Sequence, residues 1–146
     1  MESGSQETLQ RMKKGTQPES MARVFRESHE SGLANHISVL TDFPGDREIE
    51  KTITFVKENG AYIDSMVCGF FCLENTSYVF QHPDEFSISI GNVPEDYFGP
   101  DYPYREAHGK KSSDHTDFLL FLQSFMDYPF HPTKFYGYDE RHFSSM

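Results

Sequence analysis

Four side chains between residues 108 and 117 are of the types that bind metals or transfer protons: His108, Asp114, His115 and Asp117. Imidazole nitrogens and carboxylate oxygens are ligands for zinc and iron. However, a His-x6-His pair flanked by aspartates matches no defined ligand spacing. Helix-capping carboxylates and exposed histidines explain the same residues, so we expect no metal and no cofactor. The four residues stay the candidates if a metal does bind.

Nucleophilic chemistry has weak support in the sequence. No serine lies in a G-x-S-x-G motif. Cys68 and Cys72 lie in an apolar stretch with Val67, Phe70 and Phe71, where burial raises the pKa of a thiol and makes it inert. On one strand the two cysteines would be roughly 13 Å apart, too far for a disulfide. These observations favour a protein that is not an enzyme.

A long segment, 92–112, combines proline, tyrosine and acidic residues. Tyrosine is enriched at protein interfaces because its ring buries a large area and keeps a polar tip. Carboxylates around such rings would attract a basic partner and speed association. The alternative is a solvated acidic loop whose rings cover a sheet edge. The candidate partner-binding residues are Glu95, Asp96, Tyr97, Asp101, Tyr102 and Tyr104.

The charge of the chain is acidic and unevenly placed. Its 146 residues carry 23 acids and 13 bases, a net charge of -10. Residues 84–106 contain six acids and one base. Because phosphate binding requires a basic stripe, we expect no nucleic acid as a partner. The longest apolar run, 66–73, is far short of the roughly 18 residues of a membrane span, and residues 1–20 show no signal peptide. We therefore expect no membrane contact and a cytoplasmic location.

Two helices are predicted, one near each end of the chain. Residues 1–15 are expected to be a flexible tail, and 16–146 a single domain. Thr16 and Glu19 have the spacing of a capping box around Pro18, which predicts a helix at about 17–30. Ser113 is a suitable N-cap for a second helix at about 114–127. Its apolar stripe has helical spacing: Phe118, Phe121, Leu122 and Phe125.

The middle of the chain predicts strands. Residues 46–58 are ambiguous, since Ile49, Ile53 and Val56 have helical spacing while the stretch is rich in β-branched residues. We interpret Asn59-Gly60 as a hairpin turn. Further strands are predicted at 36–43, 61–73, 77–81 and 86–90, joined by short links. The fold class is then α+β: a four- or five-stranded antiparallel meander with one N-terminal and one C-terminal helix.

Three functional hypotheses follow. The first is a small acidic binding domain that docks a basic protein, in its most concrete form an immunity or antitoxin protein that inhibits a nuclease toxin, because a phosphate-binding active site is basic. The second is a small enzyme or ligand-binding protein with His108, His115 or Asp117 at the mouth of a cavity between sheet and helix. The third is a homo-oligomer in which the aromatic segment after Pro129 covers a neighbouring copy.

Overall fold

The structure is a computed structural model that describes residues 1–94, 97, 99 and 101–125 and the backbone of 135–137. The described residues form five α-helices, two short 3-10 turns (Gly60–Tyr62 and Pro83–Phe86) and five strands. In chain order the elements are α1 (Gln6–Arg11), α2 (Pro18–Glu30), β1 (His36–Thr41), α3 (Ile49–Glu58), β2 (Ser65–Phe70), α4 (Tyr78–Gln81), β3 (Ile88–Ile90), β4 (Tyr104–Glu106), α5 (Thr116–Phe125) and β5 (Phe135–Gly137).

The strands form two small sheets instead of a meander. In the first sheet β1 pairs with β2 and β2 with β5, and both pairs are parallel. In the second sheet β3 and β4 are antiparallel. The prediction of a four- or five-stranded antiparallel meander is therefore wrong. The reason is α3, which carries the chain back across the first sheet so that β2 runs in the same direction as β1.

The predicted hairpin at Asn59-Gly60 is also wrong, because residues 49–58 are helical. Ile49, Ile53 and Val56 are all buried, so burial of one helical face outweighs the β propensity of the stretch. The Asn59 side chain donates a hydrogen bond to the Phe55 carbonyl and closes the helix. Asn-Gly here ends a helix and does not connect two strands.

Two other predicted strands are shorter or absent. Residues 78–81 form α4, since the Ser77 hydroxyl accepts a hydrogen bond from the Phe80 N–H and caps the turn. Of residues 86–90, only Ile88–Ile90 is a strand. Its partner Tyr104–Glu106 lies inside the segment 92–112, which was predicted to be a loop. The predicted strand at 36–43 is confirmed in β1.

Both predicted helices exist. The first occupies Pro18–Glu30, with Gln17 as its N-cap, so the proline and not the capping box marks its start. The second is α5, whose first N–H groups are bound by Asp42 and not by Ser113.

Residues 1–12 are packed where a flexible tail was expected. Leu9 is 1% exposed. The Ser3 hydroxyl lies 3.0 Å from the Thr52 hydroxyl, and the Thr8 hydroxyl donates a hydrogen bond of 2.9 Å to the Asp46 carboxylate. These contacts join α1 to the start of α3 and to the turn before it.

Two apolar clusters hold the described elements together. The first fills the space between the parallel sheet, α3 and α5, with Val56 and Phe121 fully buried at its centre. The second lies between α4, the 3-10 turn at Pro83–Phe86 and the antiparallel pair. In it Phe43 packs edge-on against Phe71 and Phe86, at 5.1 and 5.8 Å between ring centroids. The second cluster carries the surface described next.

Candidate functional site

Three half-buried aromatic rings meet on the surface of the second cluster. Phe80 packs edge-on against Tyr102, at 5.0 Å between ring centroids. Tyr97 packs edge-on against the same tyrosine, at 5.1 Å. All three side chains are neither buried nor fully exposed. We call Phe80, Tyr97 and Tyr102 the aromatic patch.

Backbone contacts fix the position of the patch. The Tyr102 N–H donates to the Leu73 carbonyl at 2.8 Å. The Leu73 N–H donates in turn to the Asp101 carboxylate, also at 2.8 Å. The Tyr97 hydroxyl donates to the Asp101 carbonyl at 2.6 Å. Tyr97, Asp101 and Tyr102 are thereby attached to the chain just after β2, so the two tyrosines are held in place.

Acidic residues lie near Phe80 along the chain. Glu74 is exposed and lies between Leu73 and Asn75, and the Asn75 side chain reaches the Tyr102 hydroxyl at 3.5 Å. Asp84 and Glu85 are exposed in the 3-10 turn after α4. The predicted contacts Glu95 and Asp96 lie outside the described residues.

Tyr104 and Glu106 have structural roles in the interior. Tyr104 is 6% exposed, and its hydroxyl donates to the Asp42 carbonyl at 3.3 Å. Burial, reinforced by nearby carboxylates, raises the pKa of Tyr104, which keeps the phenol protonated. Glu106 is 5% exposed and accepts a hydrogen bond from the Gly45 N–H. Tyr104 therefore supports the surface from beneath.

Of the predicted partner-binding residues, Tyr97 and Tyr102 lie together on the surface and Asp101 anchors them. Phe80 was missed because residues 77–81 were predicted to be a strand. The capping spacing between Ser77 and Phe80 was the signal that could have placed this ring on a helix.

Two of the four metal candidates have other partners. His108 lies with Nε2 3.3 Å from the Glu106 carboxylate and Nδ1 3.1 Å from the Arg47 guanidinium. The Asp114 carboxylate accepts a hydrogen bond from the Lys111 N–H at 2.8 Å. Each side chain is therefore engaged locally.

The other two candidates also have local partners. The His115 ring packs on Phe70 at 4.0 Å between centroids. The Asp117 carboxylate forms an ion pair with Lys110 at 2.8 Å. In the part of the chain that the structure describes, no three histidine, cysteine, aspartate or glutamate side chains come together to hold a metal.

Asp42 is the centre of a polar cluster at the carboxyl end of β1, where parallel sheets often carry active sites. Its carboxylate is 2.9 Å from the Lys110 ammonium and accepts the N–H groups of Asp117 and Phe118. Burial alone would lower the pKa of Lys110, but hydrogen bonds to Asp117 and Asp42 raise it overall. Burial raises the pKa of Asp117 despite its ion pair. These bonds cap α5 and hold the loop before it.

Cys68 is expected to be unreactive in the folded protein. Its side chain is fully buried, and burial, with a smaller contribution from Asp42, raises the pKa of its thiol to about 12. Alkylation at pH 8 should modify Cys68 at least about a hundredfold more slowly in the native protein than in urea. Peptide mapping by mass spectrometry measures both rates, with the half-buried Cys72 as the internal comparison. Equal rates for Cys68 in the two conditions would contradict its buried position.

Comparison with known proteins gives no relative: no family model, curated protein or solved structure matches this chain. Among the described residues, no helix combines the length and the apolar character that crossing a bilayer requires. The arrangement of the described side chains is therefore the basis for any functional proposal.

Proposed function

We propose that this protein is a binding domain that docks a basic protein partner through the aromatic patch and the acids beside it. The observation that carries the proposal is the contact of Phe80, Tyr97 and Tyr102 on the surface. All three residues are half-buried. Amphipathic, pre-positioned rings of this kind supply contact area at low entropic cost.

The charge of the chain supports a basic partner. The net charge is -10, and Glu74, Asp84 and Glu85 are exposed within six residues of Phe80 in the chain. The electrostatic field of a negatively charged protein speeds its association with a positively charged surface and disfavours binding of acidic proteins. In its most concrete form, the partner is a nuclease toxin, whose phosphate-binding site is basic, and this domain is its inhibitor.

The side chains with catalytic potential support a binding role over an enzymatic one. Asp42, Lys110 and Asp117 bond to one another and to the start of α5. Burial keeps the Cys68 thiol protonated at neutral pH. Their observed contacts are those of residues that maintain the fold.

Neutralising the acids beside the patch is expected to slow partner association. The triple variant Glu74→Gln, Asp84→Asn, Glu85→Gln should lower the association rate constant about tenfold at low salt, with little change at high salt. Tyr102→Ala should instead mainly raise the dissociation rate, since it removes contact area. The partner is first captured from the native host, and both rate constants are then measured on immobilised protein.

A second triple variant with the same change in net charge is the control: Glu27→Gln, Glu30→Gln, Glu58→Gln. These acids are exposed on α2 and at the end of α3. We expect the control variant to change the association rate less than twofold. If both triple variants bind the captured protein as the wild type does, the acidic surface has no role. If both triple variants lower the association rate constant equally, the effect comes from net charge alone, and the acids near the patch are not a specific binding surface.

A further inference from the structure

A groove beside the first cluster shares no lining residue with the aromatic patch. It is an open groove of about 720 Å³ between the first two residues, the linker after α1, the helix α2 and β1. Its apolar lining includes Leu9, Met21, Val24 and Phe25. Cavities of about 300–1,000 Å³ with mostly apolar walls are typical of small-molecule sites.

The groove is open because part of the apolar face of α2 is exposed. Its apolar residues share one face, yet none of its thirteen residues is buried. Val24 is 51% exposed. Phe25 reaches the first cluster and packs edge-on against Phe55, at 6.3 Å between ring centroids. The rest of the apolar face therefore lines the groove, and Met21 gives that wall a flexible side chain that adapts to a ligand.

Two charged side chains line the groove. Lys14 and Glu2 both line it, with 2.9 Å between the ammonium nitrogen and a carboxylate oxygen. Their side chains are 45% and 34% exposed. An exposed ion pair of this kind contributes little stability. Lys14 can therefore exchange the Glu2 carboxylate for another one at small cost.

We propose that this groove binds a small monocarboxylate with an apolar chain, a molecule of the fatty-acid class. The chain lies along the apolar face of α2, and the carboxylate pairs with Lys14 in place of Glu2. The groove has the volume of a small-molecule site, and Lys14 in its lining is a cation that such a carboxylate complements. The proposal does not depend on the proposed function, because it uses none of the patch residues.

The test is calorimetric titration with dodecanoate below its critical micelle concentration. We expect binding of dodecanoate and at least about tenfold weaker binding of dodecyltrimethylammonium, which has the same chain and the opposite charge. Lys14→Gln should weaken dodecanoate binding about tenfold, whereas Glu2→Gln should strengthen it a few-fold, since it removes the competing carboxylate. Lys13→Gln is the matched control, because its ammonium lies 3.4 Å over the Tyr78 ring and not in the groove. That variant should bind as the wild type does.

The NMR signals of methionine methyl groups show where the ligand binds. In a protein labelled at the methionine methyl groups, the Met21 signal should shift on titration. The signal of Met66, which is 1% exposed in the first cluster, should not. No binding of dodecanoate, equal binding of both amphiphiles, or binding without a shift of Met21 would each overturn the proposal.

Discussion

Replacing Asp42 with alanine should lower the free energy of unfolding by about 3–5 kcal/mol, because it breaks a buried polar cluster by removing one partner. The Asp42 side chain is 4% exposed and pairs with Lys110. It also accepts the N–H groups of Asp117 and Phe118 at 3.1 and 3.0 Å. Alanine leaves these donors without their acceptor, and at the positive φ of Asp42 (55°) it adds backbone strain.

The substitution Asp42→Asn separates these contributions. Asparagine tolerates positive φ and keeps one of the two acceptor oxygens, so the charge and one of the two N–H bonds are lost while the backbone strain is avoided. We expect it to cost about half as much as alanine. Asp114→Ala is the matched surface control, since this exposed carboxylate accepts a single N–H, and it should cost about 1 kcal/mol or less. Urea denaturation measures all three. An Asp42→Ala protein as stable as the control would show that α5 does not depend on this carboxylate.

The position of Asp42 explains why sequence alone did not predict its role. A cap is normally sought within a few residues of the helix it serves, and this pattern pointed to Ser113. The actual acceptor is more than seventy positions earlier in the chain, at the end of β1. Only the parallel sheet and the helix packed on it bring the two together. The same limit applies to Tyr104, whose hydroxyl bonds to the backbone of Asp42.

Local sequence patterns predicted an element correctly where a single pattern was strong and no other pattern opposed it. Pro18 fixes the start of α2, and the alternation of Ile37 and Val39 fixes β1. They failed where two signals conflicted. Ile53 and Val56 favour a strand by residue type and a helix by spacing, and their burial between the sheet and α5 decided for the helix. That burial is a tertiary effect, and it is one reason why the prediction of a meander failed; the helix at Tyr78–Gln81 is another.

The candidate site was half predictable for a related reason. Tyr97 and Tyr102 were identified from residue type and the neighbouring acids, which are properties of one segment. Phe80 joins them through its ring contact with Tyr102, and the hydrogen bonds of Leu73 to Asp101 and Tyr102 hold the two segments together. Sequence spacing carries no information on those long-range bonds. When a surface is built from several segments, sequence analysis identifies only the segment with the most recognisable composition, here the tyrosine-rich and acidic segment 92–112.

Phe121→Ala is the other substitution with a large expected effect, a loss of about 3–5 kcal/mol in the free energy of unfolding. Phe121 is 0% exposed and belongs to the first cluster, which joins α5 to the parallel sheet and α3. Its ring lies 4.8 Å from that of Phe125, between centroids. Alanine is a good helix former, so the loss reports packing and the cavity left behind, and not the intrinsic stability of the helix.

Leu120→Ala is the matched control on the same helix, because Leu120 is 36% exposed and its truncation should cost about 1 kcal/mol or less. A loss of 3–5 kcal/mol is a large part of the roughly 5–15 kcal/mol that stabilises a domain, so Phe121→Ala could fail to fold. Phe121→Leu then provides the measurement, with an expected loss of about 1–1.5 kcal/mol. If both Phe121 variants are as stable as Leu120→Ala in urea denaturation, α5 does not close the first cluster. In that case packing of Phe121 would not hold α5 on the parallel sheet.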